Sequence, residues 1–369
     1  MNRLFGWKQT GLFLLALAAG ILPFAVPEVC AAALREGLTL CSGPLLLSLF
    51  PFLVVSRLLI QCPESDLLAL PFRLAAWGIG IRTPCAARVL CIGFLGGFAP
   101  AASAAAQAVR TGQLTAEEAD ALLPACICSG PSFVVLTVGQ SLLGSAELGV
   151  LLFASQITAN YLTAALLNRF AGVHSVKPGS AAPASPAPPR LDEILADAAI
   201  TYCKLCGFIL FFRMLAAGAG ALLPAGAGTL CSILLEVCSG CDLASRTGRW
   251  GSLLCCAALS VQGLSVLLQV RTICPPEMTL RPLYRARMLH LPLSLALFYL
   301  LLPGGEADVF STLPARILLM RRVPPDCALL VFAVCCMAAC TLRSGIRQVE
   351  QKQMARNAGG CCINSKTLL

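Results

Sequence analysis

One carboxylate interrupts an otherwise apolar stretch in the second half of the chain. Glu236 has only apolar neighbours at positions 233–235 and 237–238. A charged side chain at the centre of a bilayer costs about 2 to 3 kcal/mol or more, so it marks a functional site by default. We therefore predict that Glu236 binds a coupling ion, carrying a proton if it is buried without a partner. The alternative is that Glu236 pairs with a structural arginine, Arg57 or Arg213.

Glycines and small polar residues interrupt four apolar segments and supply the other candidates. A broken helix exposes backbone N–H groups, which attract anions, and leaves hydroxyl and amide side chains free to bind a solute. The four breaks are predicted at residues 96–100, 129–132, 236–240 and 262–265. The predicted substrate-binding residues are Gly97, Phe98, Ser129, Gly130, Ser132, Glu236, Gly240, Gly263, Ser265 and Gln269. For the serines and Gln269, hydrogen bonding between helices is an equal alternative.

Two arginines recur at the same step of two similar segments. Arg57 lies in residues 51–59, and Arg213 lies at the matching place in residues 207–215. Two further pairs of similar segments follow in the same order in the two halves, so the predicted breaks are duplicated as well. Interrupted membrane segments in duplicate are typical of transporters built from inverted repeats. We expect the two arginines to pair with acidic groups, to meet an anionic substrate, or to anchor the interface.

The composition restricts the fold class that must position these residues. The chain is 57% hydrophobic and 12% charged, and its mean hydropathy is +0.81, so it holds more apolar side chains than a soluble domain could bury. We predict an all-α polytopic integral membrane protein with two structural repeats, broken or re-entrant helices, and about eight to ten spans or half-spans. The lipid bilayer is thus one partner.

Charge and cysteine content exclude other classes of protein. The net charge of +9 comes from Lys and Arg scattered at segment ends, which indicates cytoplasmic termini in a cell membrane and no nucleic-acid partner. Most of the 21 cysteines lie in apolar runs, and there are only two histidines. We expect neither a metal nor a cofactor. No serine-hydrolase elbow or paired intramembrane aspartates are found, so we predict that the protein is not an enzyme.

The chain divides into five parts by composition. An N-terminal transmembrane helix is predicted over residues 1–35, with a kink from Pro23 and Pro27. The remaining parts are a first repeat at 36–170, a Pro/Ala/Ser linker at 171–190, a second repeat at 191–345 and a charged cytoplasmic tail at 346–369. The second repeat is expected to open with a separate interfacial helix over 191–199, before a span from 206 to 223.

Several of these segments together resemble a known family. They are Phe50-Pro51-Phe52, Gly96-Gly97-Phe98, the stretch 111–119, Ser129-Gly130-Pro131, Leu235-Glu236 with Gly240, Gly263-Leu264-Ser265 with Gln269, and Tyr284 with Arg287. In order and spacing they are similar to the sporulation integral membrane proteins of the YlbJ type, whose halves carry the nucleoside-recognition or Gate repeat. Ser103 stands where that family has a lysine.

The resemblance implies a function and a place in the cell. It implies export of dipicolinic acid, a pyridine dicarboxylate, across the outer forespore membrane during spore formation. We therefore expect a transporter of a small organic anion. A nucleoside-type solute transporter and a non-transporting membrane scaffold needed for sporulation are the alternatives, and a homo-oligomer is left open.

Overall fold

The computed structural model describes residues 2–62, 65–171 and 191–302, and within them every regular element is a helix, as predicted. The first half contains α1 (Asn2–Ala25), α2 (Pro27–Ser42), α3 (Pro44–Gln61), α4 (Ser65–Leu68), α5 (Leu70–Gly78), α6 (Pro84–Gly96), α7 (Phe98–Arg110), α8 (Ala116–Cys126), a π-helix (Ser132–Leu142) and α9 (Ala146–Ala171). The second half contains α10 (Leu191–Leu222), α11 (Ala225–Leu235), α12 (Val237–Ser245), a short 3₁₀ turn (Gly248–Trp250), α13 (Gly251–Val261), α14 (Gly263–Ile273) and α15 (Arg281–Leu301).

The described helices include several that suit a membrane. Three are long and apolar enough to cross it: Ala146–Ala171, Leu191–Leu222 and Gly248–Ile273. Shorter apolar helices accompany them at Leu49–Gln61, Pro84–Gly96, Ser132–Leu142 and Ala225–Leu235. Long spans mixed with apolar half-length helices are consistent with the predicted all-α polytopic membrane protein.

The N-terminal segment bends sharply where prolines were expected to kink it. Residues 1–35 were predicted to form one transmembrane helix, but α1 ends at Ala25 and α2 begins at Pro27, at an angle of 109° to the apolar part of α1. Pro27 has no N–H to donate to the preceding turn, so it suits the first turn of a new helix better than the interior of an old one. The two helices form either a broken span or a re-entrant loop by length and composition.

The start of the second half differs from its prediction. In place of an interfacial helix over 191–199 and a separate span, α10 is one helix of 32 residues. The polar positions Asp197 and Lys204 lower the local hydropathy, but neither breaks a helix, and no proline lies within α10. The predicted linker from residue 172 onward and the tail at 346–369 lie outside the described residues.

All four predicted interruptions are present in the structure. Gly97 separates α6 from α7 with φ +80°, and extended backbone at Ile127 ends α8. In the second half, Glu236 is extended between α11 and α12, while Gln262 and Gly263 have φ of 61° and 70° between α13 and α14. The chain is therefore broken twice in each half at matching places.

Contacts between the two halves occur in matched pairs. We match elements of the first half to elements of the second. In this alignment α3 corresponds to α10, the pair α6–α7 to the pair α11–α12, α8 and the π-helix to α13 and α14, and α9 to α15. Under this alignment the contact of α7 with α14 corresponds to that of α12 with the π-helix, and the contact of α8 with α15 corresponds to that of α13 with α9. The contacts α3 with α10 and α9 with α15 join equivalent helices. A two-fold pair of repeats would produce this pattern; the repeat boundaries remain predictions.

Candidate functional site

The two breaks of each half touch each other through backbone atoms. A Cβ on Gly97 would lie 2.7 Å from the amide nitrogen of Gly130, and one on Gly263 would lie 2.9 Å from the amide nitrogen of Glu236. Only glycine allows such an approach, because any side chain would overlap the opposing main chain. The breaks predicted from the sequence are thus brought together, two in each half.

A single main-chain carbonyl joins the breaks of the two halves. Ile127, where α8 ends, accepts hydrogen bonds on its carbonyl oxygen from Asn160 Nδ2 (3.2 Å), Gln262 Nε2 (3.3 Å) and Arg287 Nη2 (2.9 Å). Gln262 lies in a break of the second half, Asn160 in α9 and Arg287 in α15. The carbonyls at the end of a helix have no partner within that helix, so side chains from three other elements satisfy this one.

Arg287 also binds the carbonyl of Ser260, near the end of α13, at 3.3 Å. Arg287 is 7% exposed, and neither ion pair nor carboxylate partner is found for it among the described residues. Each helix C-terminus carries a partial negative charge of about half an elementary charge. The ends of α8 and α13 therefore offset much of the charge of Arg287, which ties the two halves together at their breaks.

Glu236 caps the half-helix that it precedes. Its carboxylate accepts hydrogen bonds from the amide nitrogens of Cys238 (2.9 Å) and Ser239 (2.7 Å) and from the Ser239 hydroxyl (2.9 Å), and the residue is only 2% exposed. These hydrogen bonds satisfy amide nitrogens in the first turn of α12, which have no partner within that helix. The carboxylate thus has partners, and neither Arg57 nor Arg213 is among them. Its role as a coupling-ion site remains a prediction.

The two equivalent arginines both pair with acidic side chains, one of the roles expected for them. Arg57 Nη1 lies 2.6 Å from Asp197 Oδ2, joining α3 to α10. Arg213 Nη2 lies 2.7 Å from Glu36 Oε2, joining α10 to α2. The first of these pairs lines a cavity.

That cavity, which we name the basic cavity, has a volume of about 130 Å³ and lies where the two halves meet. Helices α3 and α7 of the first half and α10 and α14 of the second contribute its lining, which consists of Arg57, Ser103, Ala106, Arg110, Asp197, Ile200, Thr201, Lys204, Leu205, Phe208, Gln269, Thr272 and Ile273. Three of these side chains are cationic and one is a carboxylate. The cavity thus favours a negatively charged solute.

Gln269 presents an incompletely bonded amide to this cavity. Its Nε2 donates to Ser265 Oγ at 2.9 Å, one helical turn back toward the break at Gly263. Its Oε1 is buried and has no hydrogen-bond partner within the described residues. A buried amide oxygen without a partner is unfavourable unless a ligand satisfies it. Gln269 therefore connects the broken part of α14 with the cavity.

The structure does not gather all the predicted substrate-binding residues around one cavity. Gln269 and Arg57 line the basic cavity, and Ser265 reaches it through Gln269. The residues that do not line it are Gly97, Phe98, Ser129, Gly130, Ser132, Glu236, Gly240 and Gly263. Gly240 packs against the main chain of Ile233, and Phe98 packs in the apolar core. Most of the breaks therefore make close backbone contacts in this state of the molecule.

Two cations of the cavity were missed by sequence reasoning. Arg110 is in the last turn of α7, and Lys204 is the only charged residue between Asp197 and Arg213 on α10. Lys204 could have been recognised as a candidate from the sequence, because a charged residue inside a candidate membrane span is unusual. Neither cation makes an ion pair with any residue that the structure describes.

No family model, curated protein or solved structure matches the chain. Within residues 2–62, 65–171 and 191–302, no group of three or more His, Cys, Asp or Glu side chains is arranged to hold a metal ion. The functional assignment therefore depends on the site geometry and on the resemblance of the sequence segments.

Proposed function

We propose that the protein is a membrane transporter of a small organic anion and that the anion binds in the basic cavity. The observation that carries this proposal is the lining of that cavity, in which three cations and one carboxylate surround a space between the two halves of an all-helical chain. In transporters built from repeats, the solute site lies at the interface of the repeats. A cationic lining selects for negative charge.

The broken helices provide the second support. Four interruptions divide α6–α7, α8 with the π-helix, α11–α12 and α13–α14 into short rigid units. Short units joined at glycines can rotate at the break while their internal hydrogen bonds persist. Movement of α7 and α14 relative to α3 and α10 would open the basic cavity to one side of the membrane and then to the other.

Dipicolinic acid is the first substrate to test, because the resemblance of the sequence segments implies it. Its two carboxylates suit the cations of the cavity. A nucleoside-type solute is the second candidate, and the single observation that favours it is the unpartnered Oε1 of Gln269, which could accept a hydrogen bond from a base or a hydroxyl group. We place the protein in a cell membrane with both termini cytoplasmic, and in spore formation, as parts of the same proposal.

The test is uptake by purified full-length protein in liposomes. Labelled dipicolinate, labelled uridine and labelled glutamine, as an unrelated solute, are offered to vesicles with and without protein. The proposal expects dipicolinate uptake well above the protein-free background and no uptake of glutamine. Uptake of uridine in preference to dipicolinate would favour the nucleoside alternative. Absence of uptake for all three solutes would contradict transport of these classes and favour a scaffold.

A further inference from the structure

Arg57 is held from three directions within the wall of the basic cavity. Its Nε donates to Ser103 Oγ at 3.2 Å, its Nη2 to Thr201 Oγ1 at 3.2 Å and its Nη1 to Asp197 Oδ2 at 2.6 Å. The two hydroxyls are neutral and fix the plane of the guanidinium from α7 and α10. Among the residues that the structure describes, Asp197 is the only anionic partner of Arg57, and it uses a single oxygen.

The two members of this ion pair differ strongly in exposure. The Arg57 side chain is 8% exposed, whereas that of Asp197 is 59% exposed. A carboxylate in contact with water gains little from pairing, because water solvates it nearly as well. A buried guanidinium cannot remain without a counter-charge at low cost. Asp197, which lines the basic cavity, can therefore move away from the guanidinium at low cost, whereas Arg57 must stay and needs another anion in its place.

We infer that Asp197 is an internal competitor for the substrate and that Arg57 is the group for which the two compete. The carboxylate of an incoming organic anion displaces Asp197 from Nη1 of Arg57, and Asp197 returns when the anion leaves. The ligand class rests on the proposed function. Since one carboxylate replaces another, Arg57 keeps a counter-charge throughout, while Arg110 and Lys204 attract the anion to the cavity.

The chain contains a matched control for this ion pair. Arg213 and Glu36 are 2.7 Å apart, with side-chain exposures of 14% and 45%, so their geometry and burial resemble those of Arg57 and Asp197. Neither residue lines the basic cavity. Removal of the Glu36 charge therefore reproduces the loss of a similar ion pair on α10 without freeing a cation in the cavity.

The experiment is equilibrium binding of dipicolinate and benzoate to purified full-length protein in detergent. Asp197→Asn frees Arg57 of its competitor, and we expect both anions to bind about tenfold more tightly, which corresponds to about 1.4 kcal/mol, because their carboxylates no longer compete with Asp197 for the guanidinium. Glu36→Gln is expected to change the affinity less than about twofold. The gain should vanish in the double variant Arg57→Gln/Asp197→Asn, because it requires the guanidinium.

Three outcomes would overturn the inference. They are unchanged or weaker binding by Asp197→Asn, an equal gain in Glu36→Gln, and a gain that persists without Arg57. Asp197→Ser is measured in parallel, with the apparent Tm of each variant, so that a folding defect specific to asparagine is recognised.

The same variants separate this inference from the proposed function. Uptake into liposomes is measured beside binding. A gain in affinity without uptake by any variant would support the exchange at Arg57 and contradict transport. Uptake of dipicolinate by the wild-type protein, with no change of affinity in Asp197→Asn, would support transport and contradict the exchange.

Discussion

Replacement of Gly97 by alanine tests whether the breaks of the first half meet through their backbones. Gly97 has φ +80° and ψ −163°, a conformation that is essentially restricted to glycine and costs another residue about 1 to 3 kcal/mol. The new Cβ would lie 2.7 Å from the nitrogen and 3.0 Å from the Cα of Gly130. Overpacking against a main chain adds about 1 to 3 kcal/mol, so we expect a total of roughly 2 to 6 kcal/mol.

Two other glycines serve as controls for this substitution. Gly112 has φ +68° with no atom within 4 Å of the position of a Cβ, so Gly112→Ala should cost only the conformational part, about 1 to 2 kcal/mol. Gly130 lies on the other side of the same contact, but its Cβ would be 3.4 Å from the nearest atom, the carbonyl oxygen of Gly96. Gly130→Ala should therefore be tolerated better than Gly97→Ala.

The assay is the apparent Tm of each purified variant in one detergent at one heating rate. At about 2 to 4 °C per kcal/mol for a large domain, Gly97→Ala should unfold roughly 4 to 24 °C below the wild type and clearly below Gly112→Ala. Equal values for Gly97→Ala and Gly112→Ala would show that the breaks are not in contact, and the account of the paired breaks would then be wrong.

Substitutions at Arg287, Glu236 and Gln269 test other parts of the structure. Arg287→Gln should lower the apparent Tm by several degrees, because it leaves two helix-end carbonyls without their cation. Arg285→Gln, on the exposed side of α15, is the control and should not lower it. Equal shifts would contradict the claim that Arg287 holds the two halves together. Glu236→Ala should lower the free energy of unfolding, measured by denaturant titration, by about 1 to 2 kcal/mol because the α12 cap is lost. Glu236→Gln should lower it less, because the amide oxygen still accepts hydrogen bonds. Retained uptake with an unchanged pH profile in Glu236→Gln would argue against proton coupling at Glu236. Gln269→Leu should leave the Tm nearly unchanged and spare dipicolinate uptake while removing any uridine uptake, because the free Oε1 can accept from a base or hydroxyl group but cannot bind a carboxylate; unchanged uridine uptake in this variant would contradict a role for Gln269 in nucleoside binding.

The positions of the breaks were predictable because they are encoded locally. Glycine beside glycine at 96–97, Gly130 before a proline, and Gly263 within an apolar run all favour interruption of a helix over continuation. The capping box of Thr115 and Glu118, three positions apart, is another local feature, and both of its hydrogen bonds are 3.1 Å long. Such features depend on residues a few positions apart, so the sequence alone contains the information.

The roles of the polar residues were less predictable because they depend on tertiary contacts. Glu236 is the exception, because its hydrogen bonds to the backbone at 238–239 are local, and its role at a coupling ion stays a prediction. The sequence does not reveal that Arg287 reaches the end of α8, which is 160 positions away. Lys204 and Arg110 join Arg57 in one cavity only because α7, α10 and α3 pack together.

The division of α10 shows a further limit of sequence reasoning. The acidic face of residues 191–199 suggested an interfacial helix before the span, but helix formation depends on backbone hydrogen bonds, which polar side chains do not interrupt. Of the polar residues in this part of α10, Asp197 and Lys204 line the basic cavity. Low hydropathy inside a span was therefore a signal of the site, and not of a helix end.

The most direct test of the central claim is dipicolinate uptake into liposomes by Lys204→Glu compared with Arg249→Glu. Both substitutions replace an exposed cation by an anion, but only Lys204 lines the basic cavity. If the cavity is the anion site, reversal of the charge at Lys204 should lower the initial rate of uptake by about tenfold or more, while Arg249→Glu should stay near the wild-type rate. Equal rates in the two variants would contradict anion transport through this cavity.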